Sequence, residues 1–536
     1  MHQVKKTFSF LYEQFYYYLL YIVKHPVSAL VTLSGVLISY APYAFATDYY
    51  VDSEVVINIP GTNYNWLEIG RYGLVFAREL LGTSWYNPYY TGLLMLLFLW
   101  LTGMTFSYIS RKLFPKLSVP ITTLGSLIFL TYPTFTEQYY FHFQSAEITF
   151  GLWLSMLAAG MFALFVKHKR WACFVITLPI YVLTFAIYQS FIPFTLCTYL
   201  AIFLSLIFKE ETTADTVRRS IAGSILHFLI AMVCSQGINK LCFPASGYLT
   251  DQVVWTSGIS LKESFLSVAT SCLRMLIGHG IFYTALLLVA VIFCTAAFLL
   301  YRKKPLYQTV LGILAAIGIA ATPFALTLLM GELTAIRSQF TYSLAAVFLL
   351  YFSIQRFLEF SESYSKTANF PRHLKQLAVT TVLLVITVSQ IGTVRYIWHA
   401  HSYVADYDRE TAEELLKTMY DTFVVDGQAS TIFWGYLQPE TPYDETIKAS
   451  PSYLFTSVFN LEHDMEPYCF YSTNRILGYM ESMGHTFLYP LQRTHNISSY
   501  IMDRENLAAF PAERSSFIDA EAFTLNLGNC PEYYYR

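Results

Sequence analysis

The chain has 536 residues, of which 55% are hydrophobic and 13% are charged, and its mean hydropathy is +0.43. Soluble domains carry about 25% charged residues, so this composition excludes an ordinary soluble domain and indicates a polytopic membrane protein. The net charge of −2 says little about partners, because in a membrane protein the informative quantity is which loops carry Lys and Arg, and nucleic-acid binding is not expected.

The residues before the first long apolar segment form a distinct element. Residues 1–25 place aromatic and aliphatic side chains on one face of a helix, which predicts an amphipathic helix in the cytoplasmic interface. Ala44-Phe45-Ala46 resembles a signal-peptide cleavage site. We favour an uncleaved span, because the region before it is long and amphipathic rather than a short charged leader.

Apolar segments recur along most of the chain. A hydrocarbon core about 30 Å thick requires about 20 apolar residues in a helix. This criterion predicts about eleven spans, near residues 26–46, 91–110, 118–133, 148–166, 171–187, 190–208, 220–239, 280–301, 307–330, 338–355 and 376–396. The run from Trp171 to Phe208 is too long for one helix, and we divide it around Tyr188-Gln189-Ser190 into a tight pair.

Lys and Arg residues concentrate in alternate loops, which predicts the orientation. The basic loops lie at residues 111–116, 167–170, 209–219, 302–304 and 356–375. By the positive-inside rule these loops and the N-terminus are cytoplasmic, and loops 47–90, 134–147, 240–279 and 331–337 face outward. An odd number of spans also puts the C-terminal tail outside.

The tail, residues 397–536, is predicted to be a small extracytoplasmic domain of α/β or α+β class. Asp408 to Tyr420 has the pattern of an amphipathic helix, and Ser430 to Tyr436 has that of a strand. Cys469 and Cys530 lie where a disulfide is chemically permitted, but the sequence leaves their pairing open.

Two acids follow the first span in the predicted outer loop. Asp52 and Glu54 are two residues apart, so extended or turn geometry directs both to one side, whereas a helix directs them apart. A carboxylate at a lipid–water boundary is partly desolvated, which raises its pKa and makes it a better base toward a hydroxyl. We hypothesise that this pair is catalytic; the alternative is two solvated loop acids. Asp48 and Glu137 are further candidates for the base.

The segment from Trp66 to Leu81 alternates apolar and charged residues, which predicts a helix lying flat in the outer interface. Arg71 in this segment has the chemistry to bind a lipid phosphate by paired hydrogen bonds. Arg337, near the outer end of a span, has the same chemistry. For both, the alternative is an arginine that extends to lipid headgroups.

These features together resemble one family. The first span, the outer-loop acids, the W-x-x-x-G-R segment from Trp66 to Arg71 and the polytopic layout look like the bacterial type II glucosyltransferase family, which modifies O-antigen and related surface polysaccharides. The layout is similar to the GT-C superfamily, whose members carry acids in the first outer loop and take sugar from polyprenyl phosphate. The resemblance covers roughly residues 26–396.

By this resemblance Asp52 is the base and Glu54 is its partner or positions the acceptor. The resemblance also extends to short matches at Tyr188-Gln189-Ser190 and at Arg337 after Gly331-Glu332, and Trp66, Arg71, Gln189 and Arg337 are then substrate-binding residues. Many relatives have adjacent acids, whereas this chain has Ser53 between them. The identity of the base therefore stays open.

The reaction implied is transfer of a hexose, glucose in this family, from polyprenyl phosphate to a cell-surface polysaccharide at the outer face of the bacterial cytoplasmic membrane. A lipid phosphate leaves as a stable anion, so it needs cations more than a general acid, and neither a metal nor a cofactor is expected. A single displacement inverts the anomeric centre. The expected partners are the lipid-linked donor, the polysaccharide acceptor, membrane lipid, and a donor synthase and flippase.

Other residue patterns in the chain suggest other functions. Asp406-Tyr407-Asp408 has the DxD form of nucleotide-sugar enzymes, but we interpret it as a helix N-cap. His399-Ala400-His401 lacks a third metal ligand nearby and is interpreted as an interfacial pair. A transporter or flippase is the main alternative, although it would carry ionisable residues inside its spans, and here the acids cluster in outer loops. An acyltransferase or phosphoglycerol transferase would need a nucleophile, an embedded histidine or a metal site that the sequence does not display.

Overall fold

The computed structural model describes residues 2–46, 52–58, 63–209, 212–243, 254–256, 260–300, 305–364, 371–421, 430–440, 442–443, 445–448, 452–460, 470–487, 508–512, 515–518 and 522–528. The chain forms two compact units. The first unit comprises Met1–Ala46 with Asn63–Arg395, and the second comprises Thr47–Thr62 with Tyr396–Arg536. The predicted outer loop 47–90 is therefore divided between the two units.

The first unit is built from α-helices, as the composition predicts. Its helices in chain order are His2–Lys24, Pro26–Phe45, Asn63–Glu68, Tyr72–Leu81, Pro88–Leu113, Val119–Leu130, Thr134–Tyr140, Ser145–His168, Trp171–Ile187, Phe191–Ile207, Ala214–Cys242, Leu261–Ile277, Leu286–Leu300, Leu306–Ala321, Ala325–Met330 and Thr341–Tyr364, followed by the start of Arg372–Asp421. Short 3-10 turns lie at His142–Gln144, Val254–Thr256, Thr322–Phe324 and Ile336–Ser338.

Among the described residues, seven helices are long and apolar enough to cross a membrane. Four shorter apolar helices, Val119–Leu130, Trp171–Ile187, Phe191–Ile207 and Leu286–Leu299, coincide with other predicted spans. The count of eleven spans is therefore not confirmed. The division of the long apolar run is confirmed, since one helix ends at Ile187 and the next begins at Phe191.

Local sequence explains where the helices begin and how closely they pack. Pro88–Leu113 starts at an Asn87 N-cap, whose side chain accepts a hydrogen bond from the Tyr90 N–H, with proline at the first helical position. Four residues later Gly92 meets the end of the first span, where a Cβ would lie 1.9 Å from the Ala44 carbonyl oxygen. Only glycine permits that approach.

The predicted single helix from Trp66 to Leu81 is wrong. Two helices, Asn63–Glu68 and Tyr72–Leu81, are separated by Ile69-Gly70-Arg71, where Gly70 has φ +79°. The left-handed conformation at glycine ends the helical hydrogen bonding.

The second unit contains a small mixed sheet. Strand β1 (Ser430–Gly435) pairs in parallel with β3 (Ala522–Gly528), which pairs antiparallel with β2 (Ser516–Ile518). Its helices are Ser53–Asn58, the end of Arg372–Asp421, Glu445–Lys448 and Phe470–Ser482, with 3-10 turns at Tyr453–Phe455 and Val458–Asn460. The strand predicted at Ser430 is confirmed. Cys469 and Cys530 lie outside the described residues.

The interpretation of Asp406-Tyr407-Asp408 as a helix N-cap is wrong. These residues lie in the middle of the helix Arg372–Asp421, which has 50 residues. The Asp408 carboxylate instead accepts hydrogen bonds from the Ser457 hydroxyl and, at 2.9 Å, from the Val458 N–H. Asp408 therefore anchors the turn around Ser457. The acidic residues that predicted a new helix start therefore lie within one continuous helix.

Candidate active site

The two acids of the predicted outer loop converge on one arginine in the second unit. Arg475, from the helix Phe470–Ser482, contacts Asp52 Oδ1 through Nη1 at 2.9 Å and Glu54 Oε1 through Nε at 2.8 Å. The helix Ser53–Asn58 is further tied to Phe470–Ser482 by a 2.9 Å hydrogen bond from the Asn58 amide to the Gly478 carbonyl. The acid pair is thus part of an ordered contact between two helices of this unit.

The two acids differ in accessibility. The Asp52 side chain is 46% exposed, whereas those of Glu54 and Arg475 are each 5% exposed. Asp52 has φ +69° and stands just before the helix that begins at Ser53, so this turn brings both carboxylates to the same guanidinium. From the sequence, extended or turn geometry was expected to direct both side chains to one side. Asp48 lies outside the described residues.

In the first unit, the turn Ile69-Gly70-Arg71 contacts the break between two apolar helices. The Arg71 guanidinium carbon lies 4.7 Å from the Tyr188 ring centroid, and the Gln189 side-chain amide donates to the Ile69 carbonyl at 3.2 Å. Gly73 permits this approach, since a Cβ there would lie 2.5 Å from the Leu183 carbonyl oxygen. The structure therefore brings together Arg71 and Gln189, which are distant in sequence.

Arg337 is held by a buried acid and an aromatic ring. Its backbone N–H donates to Glu137 Oε2 at 2.7 Å, its Nη1 is 4.0 Å from the same oxygen, and its guanidinium carbon lies 4.3 Å from the Phe141 ring centroid. Glu137 is 2% exposed and Arg337 is 21% exposed. Glu137 and Phe141 therefore hold Arg337, whose side chain is only partly buried.

Aromatic contacts connect the two arginine segments of this unit. Tyr188, which Arg71 contacts, stacks on Phe340 with ring centroids 6.4 Å apart. Phe340 follows Arg337 by three residues and also stacks on Phe135, in the helix that carries Glu137, at 6.1 Å. Arg71, Arg337 and Glu137 thus belong to one continuous set of contacts.

Trp66 contributes to the interior of this unit. Its ring stacks on Phe143 at 5.9 Å and lies 4.8 Å from the Arg78 guanidinium carbon. Arg78 is 1% exposed and donates to the Phe143 carbonyl at 2.7 Å and to the Thr83 carbonyl at 3.0 Å. Its Nη1 is 3.9 Å from Glu147 Oε1, which also accepts a hydrogen bond from the Thr83 hydroxyl. Burial lowers the pKa of Arg78, and the negative charge of Glu147 opposes that shift.

Sequence reasoning missed four residues of these networks. Arg78 lies at helical spacing from Leu74 and Leu81 on the apolar face of its helix, so the pattern contained a usable signal for its burial. Glu147 and Arg475 have no local signal, because their partners are far away in the chain. Gln138 is fully buried, and neither of its amide atoms has a hydrogen-bond partner among the described residues.

The other polar constellations have structural partners. His401 is buried, and its Nδ1 lies 3.0 Å from the Leu454 carbonyl oxygen. Asp406 pairs with Arg409 at 3.5 Å. Within the described ranges, no group of three His, Cys, Asp or Glu side chains is arranged to hold a metal ion.

Comparison with known proteins places the chain in a family. None of the curated proteins compared matches it. The family model described as "Glucosyl transferase GtrII" matches residues 42–355, which include the acid pair, the Arg71 turn, the Tyr188 break and Arg337. Since that match covers more than half of the chain, the protein belongs to the glucosyl transferase GtrII family.

Proposed function

We propose that this protein transfers a glucosyl residue from a polyprenyl phosphate to a cell-surface polysaccharide at the outer face of the bacterial cytoplasmic membrane. Family membership supports the glucosyl transfer. The observation that carries the chemical assignment is the half-exposed Asp52 carboxylate beside the buried Glu54–Arg475 pair. The Lys and Arg distribution supports the outer face.

Asp52 is the proposed base. Its carboxylate accepts the proton of the acceptor hydroxyl as the acceptor oxygen forms a bond to the anomeric carbon. The bond from that carbon to the phosphate oxygen breaks in the same step, and polyprenyl phosphate leaves with the electron pair. A single displacement of this kind inverts the anomeric centre and needs no metal. Glu54 and Arg475 position Asp52, because Arg475 contacts both acids and is itself buried.

The arginines of the first unit are the proposed donor-binding groups. A guanidinium matches the geometry of a phosphate, and a charge-assisted hydrogen bond to it grows stronger as negative charge develops on the leaving oxygen. Arg337 suits this role because Glu137 and Phe141 hold it while it retains an exposed fraction. Arg71 is assigned to the same donor. Gln189 and Trp66, in the segments that pack around Arg71, are assigned to it as well.

Gln138 is proposed to bind a sugar hydroxyl. A buried amide without partners costs about 1–3 kcal/mol, and such a group in a folded protein requires an explanation. Gln138 is the neighbour of Glu137 in the chain and lies on the same short helix, Thr134–Tyr140. A hexose offers both hydrogen-bond donors and acceptors, so it can satisfy both amide atoms.

The test is sugar transfer in outward-facing membranes supplied with polyprenyl-phosphate glucose and extracted surface polysaccharide. We expect Asp52→Asn to lower the transfer rate about 10²- to 10⁴-fold at matched expression, because it removes a general base. Glu54→Gln is measured beside it. Asp406→Asn is the matched control, since it removes an exposed acid of the same unit, and we expect wild-type transfer.

Other results would indicate a different base, a different donor or a transporter. If Asp52→Asn and Glu54→Gln both retain wild-type transfer, the acid-pair mechanism fails and Asp48 becomes the next candidate base. If the wild type transfers nothing from this donor, other lipid-linked sugars are tested. If none of them is transferred, flipping of a lipid-linked precursor by the wild type would support the transporter alternative.

A further inference from the structure

A large cavity in the first unit is not used by the proposed reaction. It has a volume of about 670 Å³, within the range of about 300–1,000 Å³ that is typical of small-molecule sites. It lies between the N-terminal helix His2–Lys24 and the helices Pro88–Leu113 and Ser145–His168. Its wall is largely apolar and includes Phe15, Ile109, Leu157, Met161, Leu164 and Leu206.

Basic side chains also line this cavity. Lys112, Lys167, Arg170 and Lys209 contribute to it, and no Asp or Glu does so among the described residues. A neighbouring cavity of about 360 Å³ shares Lys112 and adds Lys24 and Arg111, likewise without a described acid. An apolar interior with a basic edge matches the chemistry of an anionic amphiphile, whose chains avoid water and whose headgroup needs cations.

The described acid near this edge is paired with basic residues that lie outside the larger cavity. The nearby acid Asp215 pairs with Lys169 at 2.9 Å and with Arg219, and neither of these residues lines the larger cavity. Aromatic rings hold two of the basic groups. Arg170 lies 4.6 Å from the Phe10 ring centroid and Lys112 lies 5.5 Å from that of Tyr108. Such contacts orient a cation without cancelling its charge.

We propose that this cavity is a binding site for an anionic phospholipid of the membrane. The phosphate contacts Lys112 and Arg170, two of the four basic residues that line the cavity, and an acyl chain lies against Ile109, Met161 and Leu164. All of these basic residues belong to loops or helix ends that the Lys and Arg distribution predicts to be cytoplasmic, where basic pockets between helices bind anionic headgroups. The site is independent of the proposed transferase chemistry.

The first experiment measures lipid binding to the purified full-length protein in detergent, by native mass spectrometry and by the shift of Tm. The probes are phosphatidylglycerol, phosphatidylcholine with the same acyl chains, polyprenyl phosphate and inorganic phosphate. We expect phosphatidylglycerol to bind and to raise Tm, and the other probes to bind more weakly. Equal binding of phosphatidylcholine, equal stabilisation by inorganic phosphate, or stronger binding of polyprenyl phosphate would each overturn the proposal.

Variants locate the site. We expect the double variant Lys112→Gln, Arg170→Gln to bind phosphatidylglycerol about thirtyfold more weakly, since each basic group near an anionic lipid contributes about 1 kcal/mol. Lys169→Gln is the matched control, because it removes a basic residue next to Arg170 that does not line the cavity. If the control weakens binding as much as the double variant does, a general surface charge explains the binding and the site does not exist.

A second variant tests whether an acyl chain occupies the apolar part of the cavity. Ala163 lines the cavity, and Ala163→Phe would place a ring in the volume assigned to the acyl chain. We expect phosphatidylglycerol binding to be lost while Tm in lipid-free detergent stays near that of the wild type. Retained binding with an unchanged Tm would show that the chain does not occupy this cavity.

Discussion

The two units each join carboxylates to an arginine, but burial makes a different charge available in each. In the second unit Arg475 is 5% exposed and Asp52 is 46% exposed. In the first unit Glu137 is 2% exposed and Arg337 is 21% exposed. The buried member of each set holds the other in place. The more exposed member is the arginine in the first unit and an acid in the second.

The proposed reaction has two separate requirements. A lipid-phosphate leaving group needs a cation, and an acceptor hydroxyl needs a base. Both sets contain arginine and carboxylates, but the more exposed group is Arg337 in the first unit and Asp52 in the second. The comparison predicts that removing a buried member affects folding most, whereas removing an accessible member affects transfer most. The following variants test that distinction.

The largest effect on stability is expected at Arg475. Arg475→Met retains much of the aliphatic volume but leaves the Glu54 carboxylate buried without its cation. Breaking a buried ion pair in this way costs about 3–5 kcal/mol. Thermal unfolding of the second unit, followed in the full-length protein, measures the loss.

The double variant Arg475→Met, Glu54→Gln is the control for this prediction. Removing the buried charge should recover a large part of the stability, because the glutamine needs no counter-ion. If the double variant is as unstable as Arg475→Met alone, burial of the Glu54 charge is not what makes Arg475 necessary.

A smaller effect, on transfer rather than folding, is expected at Arg337. Arg337→Gln should lower kcat/KM for the donor about 10- to 100-fold, because a hydrogen bond to a charged group contributes about 1.5–3 kcal/mol. Arg337→Lys should give an intermediate value, since it keeps the charge but loses the planar fork. Arg274→Gln, at an exposed position of the same unit, should have no effect. Wild-type kinetics for Arg337→Gln would remove Arg337 from the donor site.

The smallest effect is expected at Gln138, where a substitution should raise the free energy of unfolding but lower sugar transfer. Gln138→Met preserves the side-chain length and removes two buried polar atoms that have no partner among the described residues. The free energy of unfolding should rise by about 1 kcal/mol, because the cost of that burial is removed. Sugar transfer should fall, because the sugar loses its contact. A less stable variant with full transfer would assign Gln138 a structural role.

Much of the first unit follows from apolar patterns that are local in the sequence. The apolar segments and the break near Tyr188 were predictable because length and hydropathy act within about 20 residues. The two helices between Asn63 and Leu81 were predicted as one, because the apolar pattern continues across Gly70 and does not show that this glycine has a positive φ. The continuous helix through Asp408 was missed because the acids that follow an apolar segment resemble the first turn of a new helix.

The sequence by itself determined the membrane class, the predicted orientation, the acids of the first outer loop and a family resemblance that the comparison confirmed. Only the tertiary structure decided which charges are buried and which partners they have. Glu54 and Arg475 are 421 residues apart, and Arg337 and Glu137 are 200 residues apart. The availability of a charged group depends on solvent access and on partners brought together by folding, and neither is encoded in the residues next to it.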